Sequence, residues 1–234
     1  MPRQALVAIG AAGAAAWSAP AAAPFVPGLA RALRIPTQLD EARGVALTFD
    51  DEPHTEGTPA VLAALERAGA TATFFLVGEQ VERNPSLAAE VVAAGHEVGL
   101  HGYRHRLHPL RTPRALADDL ERAVAAIEDA VGATRWYRPP YGAFSLASLA
   151  LVRRRGRLPM LWSRWGRDWR RRASPESIAG EATAGLRAGD VVLLHDADHY
   201  SSEGSWRRTA AALPAIVESV AALGEPLVPL THET

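Results

Sequence analysis

Apolar and polar positions alternate between two kinds of segment along most of this chain. Short apolar runs at Val45–Phe49, Thr71–Val77, Glu97–Leu100, Trp136–Arg138, Leu158–Trp162, Asp190–Leu194 and Leu227–Leu230 have the length and side-chain character of buried strands. Between them, Thr58–Ala68, Ser86–Ala94, Pro113–Val131, Ser145–Arg154, Pro175–Leu186 and Arg207–Leu223 carry apolar residues at helical spacing. Boundary residues agree: Pro59, Pro113 and Pro175 follow Thr58, Thr112 and Ser174 at first turns, and Gly69, Gly95, Gly132 and Gly224 stand just past helix ends. Repeated β-α units predict a parallel sheet curled into a barrel. The stretch from Val45 onward is about 190 residues, short of the ~250 typical of eight full repeats. The expectation is an α/β fold, a distorted, incomplete (β/α)7-type TIM-like barrel.

Composition narrows the chemistry more than the fold. The chain of 234 residues has no Cys, and inspection of its 25 basic residues finds only Arg. Thiol nucleophiles, thiolate metal sites, Schiff-base lysines and phosphate-loop lysines are therefore excluded. Carboxylates, imidazoles, hydroxyls, backbone amides or a metal remain. A formal net charge of -1 speaks against a nucleic-acid partner, and the Arg153–Arg155 and Arg170–Arg172 runs read as solvated surface. No obligate protein partner is expected. Residues 1–24, with Arg3, a weakly apolar Ala/Gly run and an Ala/Pro stretch, have the order of a signal peptide and are set apart from the fold; a disordered leader is the alternative. Residues 25–44 form an extended lead-in and 45–234 the catalytic domain. An extracytoplasmic location follows if the leader acts as one.

Ionisable residues cluster where the predicted strands end. Asp50 and Asp51 close the first, His101 the third, Arg138 the fourth, and His195 with Asp196 the sixth. In barrels of this class the C-terminal strand ends converge on one site. Neighbouring carboxylates at a strand end point to opposite sides, so one can bind a metal while the other takes a proton; a turn or helix cap would also use such a pair. His101 and His105, four residues apart, can aim at one ion. With Asp51 they make a two-His, one-carboxylate set that leaves coordination positions open, as catalytic sites do. His54 and His108 lie near enough in sequence to be bystanders or substitute ligands. Arg138-Pro139-Pro140-Tyr141-Gly142 is a stiff turn able to aim a backbone N–H while Arg138 pairs with a carboxylate. His195 with a carboxylate partner suits a general acid, and Asp168 lies between Trp165 and Trp169. The polar, aromatic stretch Asp198–Trp206 is a candidate rim loop for a sugar.

Taken in order, Thr48-Phe49-Asp50-Asp51-Glu52-Pro53, His101-x-x-x-His105, Arg138-Pro139-Pro140-Tyr141-Gly142, Asp168-Trp169 and Leu193-Leu194-His195-Asp196 resemble the motifs of the polysaccharide deacetylase family, the NodB-homology or carbohydrate esterase 4 group. The resemblance spans about Val45 to Leu230 and implies a hydrolase of non-peptide carbon–nitrogen bonds that removes N-linked, or O-linked, acetyl groups from a glycan such as cell-wall or exopolysaccharide. It implies that Asp50 is the general base, held by Arg138, and that Asp51, His101 and His105 bind a divalent metal, zinc first, with cobalt, manganese or nickel as alternatives. It further implies a Tyr141 backbone N–H at the oxyanion and His195 as general acid, oriented by Asp168. Trp169, Leu193 and Pro139 would line the substrate pocket. Three positions depart from the family pattern: Glu52 replaces a usual Gly, Gly102 a usual Ser or Thr, and Trp165 a commonly acidic residue. Two other readings stand beside this one, an amidohydrolase of small linear or cyclic amides in the same barrel, and a non-catalytic glycan-binding protein of the same fold.

Overall fold

The computed structural model describes residues 13–231. Seven parallel strands form one sheet in the order β5-β4-β3-β2-β1-β7-β6. In chain order these are β1 (Ala46–Glu52), β2 (Thr73–Leu76), β3 (Glu97–Leu100), β4 (Trp136–Tyr137), β5 (Leu158–Pro159), β6 (Arg164–Trp165) and β7 (Val191–His195). The helices are α1 (Pro27–Ala32), α2 (Gly57–Arg67), α3 (Gly78–Arg83), α4 (Pro85–Ala93), α5 (Pro113–Val131), α6 (Leu146–Arg154), α7 (Pro175–Thr183) and α8 (Ser205–Ala222). β5 and β6 follow one another in sequence yet sit at opposite sheet edges, so the barrel is open between them. This is the incomplete barrel expected from strand count and length.

The central strands read as continuous apolar runs because both faces are covered; every residue of β1 and β2 is buried. Phe49 of β1 stacks on Phe74 of β2 with ring centroids 5.0 Å apart. Of the three helix starts foreseen, Thr112 and Ser174 accept backbone N–H bonds at the N-termini of α5 and α7, as Ser145 does at α6, whereas α2 begins one residue before Thr58, at Gly57, with Glu56 as its N-cap and no side-chain cap.

Two strand assignments are corrected. The seventh predicted strand, Leu227–Leu230, makes one parallel bridge, Leu227 to Val45. Pro229 has no N–H to donate, and the Leu230 N–H goes to the Glu97 carboxylate at 2.9 Å instead of a ladder. The sheet takes its seventh member from Arg164–Trp165, two residues with no periodicity to announce them. The predicted Leu158–Trp162 strand stops at Pro159, and the Leu161 N–H bonds to the Pro36 carbonyl.

Part of the stretch that composition sets apart from the fold is packed onto it: Pro20 and Ala23 are buried, Ala23 in the main core cluster. The lead-in after it is not extended throughout, since α1 lies within it and buries Ala30 in the same cluster. The Trp17 indole donates to the Pro109 carbonyl at 2.9 Å. Residues 1–12, which hold the basic start and most of the apolar run of the proposed leader, lie outside the described residues.

Candidate active site

A cleft of about 310 Å³ opens at the C-terminal ends of the strands, lined by Asp50, Asp51, His101, His105, Tyr141, Trp169, Leu193 and His195 among others. A larger hollow of about 620 Å³ lies around Trp136, Leu158 and Arg34 and holds none of the ionisable strand-end residues.

The register of β1 breaks between Asp50 and Glu52, and Asp51 has φ 85°. A bulge inserts an extra residue and re-aims side chains. Asp50 and Asp51 therefore both face the cleft, where a regular strand would have sent them to opposite sides as the sequence suggested. Asp51 Oδ1 lies 3.5 Å from His101 Nε2 and 3.2 Å from His105 Nε2. It is buried without a hydrogen-bond partner among the described residues. His101 Nδ1 is 2.9 Å from the Arg138 carbonyl, which can only accept, so Nδ1 carries the proton and the Nε2 lone pair faces Asp51. The ring of His105 has no such hydrogen bond at Nδ1; it is stacked on Tyr200 at 4.1 Å and touched edgewise by Tyr141 at 4.4 Å.

Charge balance in this cluster favours a cation. Burial pushes the Asp51 carboxyl up to about 7, with His195 opposing and Asp50 adding to the rise. Burial also holds His101 well below the ordinary imidazole range and takes His105 down to about 2. Two neutral imidazoles and a buried carboxylate with an unpaired oxygen, their ligand atoms within 4.8 Å of one another, fit a divalent metal. The cation would supply the charge that the buried carboxylate lacks.

The loop that carries the two imidazoles is fastened by a residue that sequence reading missed. Asp119 of α5 accepts the N–H of Tyr103 at 2.9 Å and of Arg104 at 3.3 Å. Gly102 has φ 84°, and a Cβ there would come within 3.2 Å of Asp119 Oδ2. The carboxylate occupies the space a side chain at 102 would need, and it ties down the loop from the helix side.

Asp50 is paired with the fully buried Arg138, whose Nη1 donates to Asp50 Oδ1 at 2.7 Å and to Thr48 Oγ1 at 2.8 Å. Its Nη2 donates to the Leu161 carbonyl at 2.9 Å, and its guanidinium lies 4.1 Å over the Phe75 ring. Opposite, Asp168 Oδ1 is 2.9 Å from His195 Nδ1, while Asp168 Oδ2 accepts the His195 N–H at 2.6 Å and the Thr209 hydroxyl at 2.8 Å. Burial would lower the His195 pKa, but the charge and hydrogen bond of Asp168, then Asp51 and Asp50, outweigh it and carry the imidazole up to about 9. Thr209 sits inside α8, where nothing in its local sequence marks it.

The remaining candidates fall in different places. Tyr141, at φ 60°, presents its ring to the cleft, and the tight turn needs Gly142 because a Cβ there would lie 2.5 Å from the Trp162 ring. Trp169 and Leu193 line the cleft; Pro139 lies buried behind it, its carbonyl taking the Gly142 N–H at 2.8 Å. Glu52 points into the barrel wall beside Asp196, and burial raises both carboxyls, Asp196 to about 7. Tyr200 and Ser201 place the polar loop after β7 on the rim, as expected. His54 and His108 are not in the cleft. His54, Asp198 and His199 also bring ligand atoms together, but His54 Nδ1 accepts the Gly57 N–H at 2.9 Å, so Nε2 carries the proton that faces Asp198 at 3.1 Å. That imidazole caps α2 and has no lone pair to offer.

A parallel half-barrel that gathers carboxylates, imidazoles and a buried arginine at its C-terminal strand ends is the arrangement in which barrel enzymes build their active sites. The family described as polysaccharide deacetylase matches residues 38–158. A peptidoglycan-N-acetylglucosamine deacetylase of Bacillus cereus is 34% identical over 190 residues, 80% of this chain and 86% of that protein. A chitooligosaccharide deacetylase of Azorhizobium caulinodans is 33% identical over 196 residues, 80% and 92% of the two chains. A solved peptidoglycan N-acetylglucosamine deacetylase superposes with a TM-score of 0.76 at 26% identity, covering 84% of this chain and 89% of the other. The chain belongs to the polysaccharide deacetylase family and is a hydrolase of carbon–nitrogen bonds.

Proposed function

We propose that this protein is a divalent-metal-dependent N-deacetylase acting on a glycan that contains N-acetylglucosamine, of the cell-wall or chitin-like class. The observation that carries this reading is the single cleft in which the unpaired Asp51 oxygen faces two imidazole nitrogens, flanked by the Arg138-bound Asp50 and the Asp168-bound His195.

Asp51, His101 and His105 would hold the ion, with zinc preferred and cobalt, manganese or nickel compatible with the same donors. Bound there, a divalent cation supplies Lewis acidity to the amide carbonyl and acidifies water. Asp50 accepts the proton of the attacking water, and Arg138 fixes the carboxylate that does so. The Tyr141 N–H donates to the developing oxyanion. His195, its Nδ1 committed to Asp168, delivers the Nε2 proton to the leaving amine as the C–N bond breaks. Free acetate and a glycan amine result. Trp169 and Leu193 enclose the acetyl methyl. The reading of an extracytoplasmic location, where such glycans are found, rests on the basic and apolar start of the sequence at Arg3 and Ala5–Gly10 and not on the Ala/Pro stretch, which is packed onto the fold.

The decisive assay is acetate release from N-acetylglucosamine oligomers, peptidoglycan and small linear or cyclic amides, using metal-stripped protein with each ion restored. Zinc-dependent release from a glycan is expected. Hydrolysis of small amides alone would replace this reading with the amidohydrolase, and metal binding without turnover on any substrate would leave a glycan-binding protein.

The acid assignment has its own signature. His195 acts while protonated, so kcat/KM falls as pH rises through its pKa. Asp168→Asn removes the charge that raises that pKa, and the alkaline limb of the pH profile should move down by about one unit or more, with a loss of kcat. An unmoved limb would remove His195 from the acid role.

A further inference from the structure

Trp165 has no part in the chemistry above. Its ring lies 5.6 Å from Trp169, which meets His195 edgewise at 5.5 Å. On the other side it lies 5.7 Å from Phe25, in the lead-in segment just before α1. The rings form a continuous series from the proposed acid to the rim of the cleft, and both Phe25 and Trp165 line that cleft. Phe25 precedes the stretch that carries the family match.

We propose that Phe25, backed by Trp165, is a sugar-binding subsite that takes the pyranose ring next to the one being deacetylated. The proposal rests on the deacetylase reading. Phe25 is 65% exposed while its ring meets Trp165, so an aromatic face continuous with the cleft is open to a ligand at the rim. It is also held in place. Ala23 is buried in the core, Pro24 packs against Gly142, and Trp17 is bonded to the Pro109 carbonyl, while Trp165 is supported by Trp162 at 5.8 Å and by the Arg167 guanidinium at 4.8 Å. A preorganised ring loses little freedom when a ligand lands on it. The occupant follows from position. A cleft of about 310 Å³ is at the small end of ligand sites, so the next ring of a glycan must leave over the rim. On the His195 side, where the sugar amine departs, the first surface it meets is the Trp169–Trp165–Phe25 series, and a pyranose offers it an apolar C–H face.

The test compares the parent with Phe25→Ala, Phe25→Trp, Trp165→Ala and Trp165→Phe on N-acetylglucosamine oligomers of increasing length. Binding of the same oligomers to Asp50→Asn protein, with and without Phe25→Ala, is followed by calorimetry. Phe25→Ala should raise KM for the longer oligomers and weaken their binding by about tenfold, with a much smaller change in kcat, and Phe25→Trp should restore both. Trp165→Phe guards against misfolding of Trp165→Ala and should give an intermediate loss. Equal KM and equal binding in parent and Phe25→Ala overturn the subsite while acetate release still stands. A parent that releases no acetate from any glycan but binds oligomers in a Phe25-dependent way keeps the subsite and removes the deacetylase reading.

Discussion

Asp50→Asn should lower turnover by about 10²- to 10⁴-fold while leaving cation binding at the parental stoichiometry. An amide matches the carboxylate in shape and can still accept a hydrogen bond from Arg138, but it cannot take up the proton that a general base removes. The substitution also leaves a fully buried guanidinium without its counter-ion. Breaking such a pair from one side costs about 3–5 kcal/mol, so a lower melting temperature should accompany the loss of rate. Acetate release, metal content after dialysis and a thermal melt separate the two effects. Parental turnover in Asp50→Asn would end the base assignment; loss of the cation together with the rate would move Asp50 into the ligand set.

His101→Ala should lose both the cation and turnover. Asp51 would keep only His105, whose ring is positioned by Tyr200 and Tyr141 and not by a hydrogen bond at Nδ1. Two protein donors do not make the closed half of a catalytic tetrahedral site. The substitution also leaves the Arg138 carbonyl without its imidazole donor, so the control is parent protein stripped by a chelator. Stripped parent should lose turnover and regain it with zinc, whereas His101→Ala should not recover at any zinc level that the fold tolerates. A variant that retains one tightly bound ion, or a stripped parent that works at full rate, would remove the metal from the mechanism.

Most of the fold was legible because the signals for it are local. The apolar runs that became β1, β2, β3 and β7 are long enough to be buried on both faces, and three of the helices between them, α5, α6 and α7, begin at Ser or Thr caps that the structure uses. What failed was short or proline-bearing. β6 has two residues, too few for a period, and Leu227–Leu230 has the apolar content of a strand but loses a ladder donor at Pro229. The segment around Pro20 and Ala23 reads as a leader by composition, since small apolar residues suit a signal sequence and a close-packed core surface equally well.

The site divides along the same line. Asp50, Asp51, His101, His105, Arg138 and His195 could be named from sequence because each sits at or just beyond the end of a strand, and the parallel barrel brings those ends together whatever the intervening loops do. The bulge that turns Asp51 into the same cleft as Asp50 could not, because it depends on pairing with a neighbouring strand. Nor could the supports: Asp119 reaches back to Tyr103, Thr209 reaches Asp168 across 41 residues, and Phe25 meets Trp165 across 140 positions of sequence. The sequence by itself determined which chemical groups the protein owns and the strand ends where they stand. Tertiary structure alone decided which way they face and what holds them, because those choices are made by contacts between distant segments, and no local propensity encodes them.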